Sequence, residues 1–352
     1  MNESGTPPHA PVGIAPAAVT EWMVTHVDDL TAPLRFDLVA GGHSCLTYVV
    51  TDSSDRRVVL RRPPLGHVLS TAHDVVREHR ILSALSSTGV AVPRTLGVCE
   101  DLSVNEAPFF VMDHVDGVVL HDAGVVEALL PDPAARRAAG LGLVDALAEL
   151  HAVDVDAVGL GDLSRRTGYL DRQLKRWSIQ WESSQTRDLP EMEQLHGWLV
   201  EHRPDEQRTG IVHGDFRLGN ILLRPDGTVA AILDWELCTL GDPTADVAYL
   251  LRSWTQPGEP VGPHLIAPTS VGGFPTREEL VERYQATTGA RIDHLDYWMA
   301  FNAWRSAAIS EGVLRRYLDG TMGSAPDDLD AFRLGVEQSA RTGLSHAGLH
   351  EG

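Results

Sequence analysis

One stretch of this 352-residue chain has the residue types and spacing of a reaction centre. It runs His213-Gly214-Asp215-Phe216-Arg217-Leu218-Gly219-Asn220 and is followed by Ile232-Leu233-Asp234-Trp235. A carboxylate, a carboxamide five residues on, and a second carboxylate beyond a short hairpin suit phosphoryl transfer from a magnesium nucleotide. In that chemistry one Asp accepts the proton of the attacking hydroxyl, while the Asn and the other Asp hold the metal that bridges the phosphates. The chain has only four asparagines (Asn2, Asn105, Asn220 and Asn302), so one at this spacing carries weight.

A second set of polar residues lies upstream. Gly41-Gly42-His43-Ser44 separates two strand-like runs, where glycines let backbone amides approach phosphate closely; taken alone, such a pair is more often a plain turn. In Val58-Val59-Leu60-Arg61-Arg62, strand alternation puts Val59 and Arg61 on one face. That spacing suits an apolar contact to a purine followed by a cation to the phosphates, against the plainer reading of an exposed arginine at a strand end. Glu78 shares a helical face with Val75 and Leu82. A carboxylate on a face that must meet a sheet needs a cationic partner, and Arg61 is the candidate; a solvated Glu78 on a rotated helix is the alternative.

The elements that must position these residues follow from the pattern. Residues 1–15, rich in Pro, Gly and Ala, read as loosely attached, and a short helix is expected near 16–28. Strands are expected at 34–39, 46–51 and 57–62, the last two flanking the turn set Asp52-Ser53-Ser54-Asp55, with Pro63-Pro64 ending the third. A helix is expected at about 70–87, and strands at 94–100 and 108–115. Helices are then expected at 133–152, 168–184, 188–202, 276–289, 294–318 and 327–342. A hairpin of 221–223 and 229–233, turned by Pro225-Asp226-Gly227, interrupts them, and 256–275 reads as a long loop. This predicts an α+β chain with a tail and short helix (1–30), a small nucleotide-binding sheet domain (31–115) and a mainly helical catalytic and acceptor-binding domain (116–352).

Composition narrows the partners. A formal net charge of −20 disfavours nucleic acid and anionic membrane surfaces. Lys175 is the only lysine, so a role usually filled by lysine falls to arginine or is absent. Cys45, Cys99 and Cys238 form neither a disulfide framework nor a metal-type pair. No secretory signal and no apolar span of membrane length is visible, so a cytoplasmic location is the expectation.

On Gly41-Gly42-His43-Ser44, Val59-Leu60-Arg61, Arg77-Glu78, Phe110-Val111-Met112, His213-Gly214-Asp215, Asn220 and Asp234-Trp235-Glu236 with Gly241-Asp242-Pro243, the chain resembles the aminoglycoside phosphotransferase and choline kinase family of the protein-kinase-like superfamily. The resemblance covers roughly residues 35–320. It is nearest to the branch found beside or fused to acyl-CoA dehydrogenases, which often reads Gly-Gly-x-Ser-Asn and carries arginine on the third strand. Cys45 stands where that branch usually has Asn.

The resemblance implies a bilobal kinase-like fold, a small antiparallel-sheet lobe joined to a mainly helical one. It implies Asp215 as base, Asn220 and Asp234 as magnesium ligands, and Arg61 as the phosphate-binding cation with Glu78 its partner. Gly42, His43, Ser44, Val59 and the backbone of Asp113 and Val115 would meet the nucleotide, which is ATP, with GTP as the alternative. The expected function is transfer of the γ-phosphoryl group to a hydroxyl of a small molecule, aminoglycoside-like or hydroxyacyl-CoA-like. A catalytically silent nucleotide-binding module is the competing reading. A protein kinase is disfavoured, because only a dozen or so residues separate Asp234 from Asp246 and leave no room for a peptide-docking segment.

Several residues keep two readings. Arg217 could steady the phosphoryl group or close a loop salt bridge. Asp246 could start a helix or brace a loop, and Glu236 could touch a second metal. Trp177, Trp181, Tyr297, Trp298 and Trp304 are core by burial tendency and acceptor-pocket candidates otherwise.

Overall fold

The computed structural model describes residues 11–39, 45–65, 74–259, 267–320 and 329–349. Gly42, His43 and Ser44 lie outside the described residues. The chain divides into two compact units, Met1–Asp116 with Ala231–Glu236, and Gly117–Ala230 with Leu237–Gly352.

The first unit contains, in order, α1 (Pro16–His26), β1 (Arg35–Leu38), β2 (Leu46–Thr51), β3 (Arg57–Arg62), α2 (Val75–Leu85), β4 (Thr95–Cys99), the short α3 (Leu102–Asn105) and β5 (Phe109–Asp113). The strands form one five-stranded sheet in the order β1-β2-β3-β5-β4, antiparallel throughout. The β2–β3 turn is built by Asp52, whose Oδ1 accepts the N–H groups of Ser54 and Arg56. α2 starts at Val75, later than expected, because Asp74 caps it by accepting the N–H of Arg77 at 2.9 Å. Its buried side is Val75, Glu78, Ile81, Leu82 and Leu85, one helical face.

Alternation along β3 decides what each sheet face receives. Val58, Leu60 and Arg62 are buried, while Val59 and Arg61 on the opposite face are half-buried. On the first face the expectation of a loose N-terminal tail fails for residues 11–15. Ile14, Val19, Met23, Val27 and Leu30 join Tyr48, Val50, Val58 and Leu60 in one apolar cluster. The Tyr48 hydroxyl donates to the carbonyl of Val12, the Arg62 guanidinium to that of Gly13, and Asn105 Oδ1 accepts the N–H of Ala15. Without this segment the sheet's apolar face would stand in water, so the composition of the tail misleads where its few large side chains do not.

The second unit contains β6 (Val118–Val119), α4 (Ala123–Leu129), α5 (Pro133–His151), α6 (Tyr169–Ser184), α7 (Pro190–Glu201), β7 (Gly210–Val212), β8 (Ile221–Leu223), β9 (Val229–Ile232), β10 (Thr239–Gly241), α8 (Thr244–Arg252), α9 (Arg277–Thr288), α10 (Leu295–Leu318) and α11 (Leu329–His346); the last residues of β9 belong to the first unit. β6, β8 and β9 form a three-stranded sheet, and β7 pairs with β10. The sequence reading misses β7, β10 and α4, since three-residue strands and a seven-residue helix give too few repeats for a period to register. The long helices start on clear signals: Asp132 caps α5 with Pro133 at its first turn, and Thr276 and Glu279 form a capping box on α9. α10 packs against α6, α7, α8 and α11 and is buried through most of its middle turns. Trp177, Trp181, Tyr297, Trp298 and Trp304 are all buried, which favours the core reading for them.

Candidate active site

In the first unit the decisive residue is Arg61. Its Nε bonds Glu78 Oε2 at 2.9 Å and its Nη2 bonds Asp234 Oδ1 at 2.8 Å. Pleat alternation aims Arg61 away from the α1 side, and Glu78 meets it from the buried face of α2. Asp234 arrives on the returning segment Ala231–Glu236, which is tied down by the Ile232 N–H on Ala91 O (2.8 Å) and the buried Trp235 Nε1 on Ile232 O (3.0 Å). Asp234 takes a left-handed backbone, φ 66°, a conformation Asp tolerates better than bulkier residues and one that often marks functional turns.

The electrostatics follow from burial. Burial alone would lower the Arg61 pKa, but the charges of Glu78 and Asp234 outweigh it and raise it. Burial pushes the Glu78 carboxyl up to about 7 even with Arg61 beside it. Burial also pushes the Cys45 thiol to about 12, making it a poor nucleophile in the same electrostatic neighbourhood as Arg61, Glu78, Asp234 and Glu236. Val59 sits in the β3 ladder between Val49 and Met112. The Asp113 N–H donates to the carbonyl of Arg94 at 2.9 Å. Its side chain pairs with Arg94 at 2.9 Å, and Val115 follows it, half-buried.

In the second unit Asp215 follows β7 on a loop held from several sides. Gly214 has φ 85°, and a Cβ there would lie 2.9 Å from Leu237 O, so glycine is required. Asp246, fully buried at the start of α8, accepts the N–H of His213 at 2.6 Å and of Gly214 at 2.8 Å. It therefore braces the loop. Burial would raise its pKa, but a hydrogen bond from His151, with the charges of His151 and His213, holds it below the usual value. His151 Nε2 lies 3.2 Å from Asp246, and its Nδ1 lies 2.7 Å from the Tyr284 hydroxyl. His213 Nδ1 accepts the N–H of Asp215 at 3.2 Å, a positioning contact. The neighbouring Asp242 accepts the N–H of Gln207 and of Thr244 and so fixes the turn into α8.

Asn220 donates from Nδ2 both to Asp215 Oδ2 at 2.6 Å and to the Asp215 carbonyl at 2.8 Å. Its amide oxygen Oδ1 is thereby the end turned away from Asp215. Arg217 Nε stands 3.4 Å from Asp215 Oδ1, a loose ion pair that supplies the loop salt bridge. The Tyr249 hydroxyl faces Asp215; burial first, and then that carboxylate, raises the phenol's pKa. The Arg305 guanidinium donates to the Gly214 carbonyl and lies over the rings of Trp177 and Tyr249, 5.3 and 5.2 Å from their centres. Sequence reasoning missed Tyr249 and Arg305. The one signal was a lone charge in the otherwise uncharged stretch Tyr297–Ala308 of α10.

The residues expected to hold magnesium fit that ion by donor type. Both offer hard oxygens, the carboxamide oxygen of Asn220 and the carboxylate of Asp234. Among the described residues no group of three or more His, Cys, Asp or Glu makes an all-protein cage.

The sequence model of the phosphotransferase enzyme family matches residues 36–289. Among curated proteins, mouse acyl-CoA dehydrogenase family member 10 is 38% identical over 300 residues, covering 84% of this chain and 28% of the mouse protein. Chicken acyl-CoA dehydrogenase family member 11 is 36% identical over 296 residues, covering 81% of this chain and 37% of its own. The chain thus spans well under half the length of these relatives. Among solved structures, a putative aminoglycoside phosphotransferase from Ralstonia eutropha superposes with a TM-score of 0.79 at 33% identity, covering 95% of this chain and 98% of its own. The GDP complex of aminoglycoside 2'-phosphotransferase-IIIa shares the fold, with a TM-score of 0.60 at 18% identity over 94% of this chain and 99% of its own. The α+β kinase-like fold class expected from the sequence is the one found.

Proposed function

Since the chain belongs to the phosphotransferase enzyme family, we propose that it moves the γ-phosphoryl group of ATP, or of GTP, to a hydroxyl of a small molecule. The observation that carries the reading is Arg61, joined at once to the buried Glu78 and to Asp234. A strand cation locked by a helix carboxylate is the device that holds nucleotide phosphates in kinases. Arginine adds something lysine lacks: its planar fork reaches two carboxylates together and can grip phosphate bidentately. Asn220 and Asp234 are the residues that would hold magnesium, whose contribution would be to neutralise phosphate charge.

Asp215 would accept a hydrogen bond from the acceptor hydroxyl and take its proton as the bond to phosphorus forms. Asn220 and Tyr249 would fix its rotamer. Because the transition state is loose, orientation counts for more than basicity. For the acceptor we favour a hydroxyacyl thioester of the coenzyme A type over a polycationic aminoglycoside. Arg217 stands at the Asp215 loop, and a cation there suits an anionic acceptor. The names of the curated relatives point the same way.

The test is a product screen. Purified protein, magnesium and ATP or GTP are offered hydroxyacyl-CoAs, amino alcohols and aminoglycosides, and mass spectrometry looks for one added phosphate. A phosphorylated hydroxyacyl-CoA, lost in Asp215→Asn, supports the full reading. A phosphorylated aminoglycoside alone keeps the kinase and overturns the acceptor. Tight nucleotide binding with no transfer to any acceptor class leaves the silent nucleotide-binding module.

A further inference from the structure

The loop that carries Asp215 is gripped by opposite charges on opposite ends of its peptide groups. Asp246 takes the N–H groups of His213 and Gly214, and the Arg305 guanidinium takes the carbonyl of Gly214. Arg305 is buried, 3% exposed, and pairs with no carboxylate among the described residues. Its partners are that carbonyl and the faces of Trp177 from α6 and Tyr249 from α8. A buried guanidinium is costly, and a carbonyl and two ring faces compensate it only in one geometry. Tyr249 is held under the guanidinium with its hydroxyl toward Asp215. Arg305 lies on α10, beyond the stretch matched by the family model.

We propose that Arg305 and Tyr249 are positioning residues for phosphoryl transfer, with Arg305 fixing the Gly214 peptide and Tyr249 fixing the Asp215 carboxylate. Arg305 acts twice on one loop, directly through the carbonyl and indirectly through the phenol it holds. Substrate binding does not pass through either contact, so their loss should fall on turnover and spare nucleotide binding.

The role in turnover rests on the phosphotransferase reading; the loop's rigidity does not, so the experiment has two arms. In the first, amide hydrogen exchange is followed in wild type, Arg305→Met and Arg305→Lys. The methionine variant should exchange at least about tenfold faster over residues 213–216, with α6 and α8 unchanged, and the lysine variant should fall between. Unchanged exchange there in a folded Arg305→Met variant overturns the proposal, whether or not any acceptor is ever phosphorylated. If the methionine variant does not fold, Arg305→Lys decides the same question, because an ammonium keeps the charge but cannot lie flat on two rings while reaching the carbonyl.

In the second arm, kcat and KM are measured on the acceptor found in the screen. Tyr249→Phe keeps the ring and should lower kcat about tenfold with the nucleotide KM within about twofold and an unchanged melting temperature. Arg305→Met should lower kcat further, and added guanidinium ion should restore part of it. Wild-type kcat in Tyr249→Phe, or a loss confined to KM, overturns the turnover claim.

Discussion

Asp215 and Asp234 are the same side chain in different employment. Asp215 accepts from Asn220 and pairs loosely with Arg217, and Asp234 is gripped by Arg61. Their substitutions should therefore fail differently. On the proposed reaction, Asp215→Asn keeps the shape and removes the charge that would receive the proton, so turnover should drop by about a hundredfold or more with nucleotide affinity nearly intact. Asp234→Ala should weaken magnesium-dependent nucleotide binding itself. Isothermal calorimetry with ATP, with and without magnesium, alongside single-turnover rates, separates the two. Gly214→Ala should also be severe, since a left-handed alanine costs about 1–2 kcal/mol before its Cβ meets the Leu237 carbonyl. A melting temperature equal to wild type would contradict that. The meeting of Asp215 with Asn220 was legible in the sequence because a five-residue spacing sets both on one loop. Tyr249 and Arg305 were not, because each sits on a helix whose apolar run reads as core, and only folding brings their tips to the loop.

Between β3 and α2 the chain sets a carboxylate in a place where ionisation is contested. Glu78 ordinarily titrates near 4.5 and is pushed to about 7 by burial. The folded unit therefore holds this proton more tightly than the unfolded chain does. The resulting contribution to stability is full below about pH 4.5 and is lost as pH rises through about 7. Function runs the other way, because only the ionised carboxylate holds Arg61 firmly. Nucleotide affinity should fall as pH drops from about 8 to about 6, and Glu78→Gln should be weak and flat across that range. Titrating a fluorescent nucleotide at several pH values checks this; a pH-dependent Glu78→Gln variant would refute it. The β3–α2 pairing was legible because period two and period 3.6 each put one polar residue on a buried face. The sequence marks α1 as a helix but not as a wall of the sheet. Nothing in an eleven-residue segment says which surface it covers until Tyr48, Arg62 and Asn105 are seen reaching for the residues before it.

Taken as one molecule, the chain carries its three cysteines buried and outside any disulfide. Denatured, non-reduced protein should titrate three thiols per chain, and native protein should react slowly, Cys45 among the slowest given its raised pKa. Fewer than three in fresh material would show a disulfide that the structure lacks. The division into a sheet unit and a helical unit was legible from the switch in periodicity near residue 115. The return of Ala231–Glu236 to the first unit was not, since a six-residue excursion leaves no compositional trace. That return has a consequence for how such a protein can be rearranged. A crossover or gene split near residue 116 would hand one fragment the sheet, Arg61 and Glu78, and the other Asp234. Neither fragment alone would carry the ion triad, so in a chimera between relatives its ion pairs would join segments of two parents unless the short downstream stretch travels with the sheet. The first unit is thus heritable only as an interrupted block, which constrains its evolution more tightly than a single cut near residue 116 would suggest.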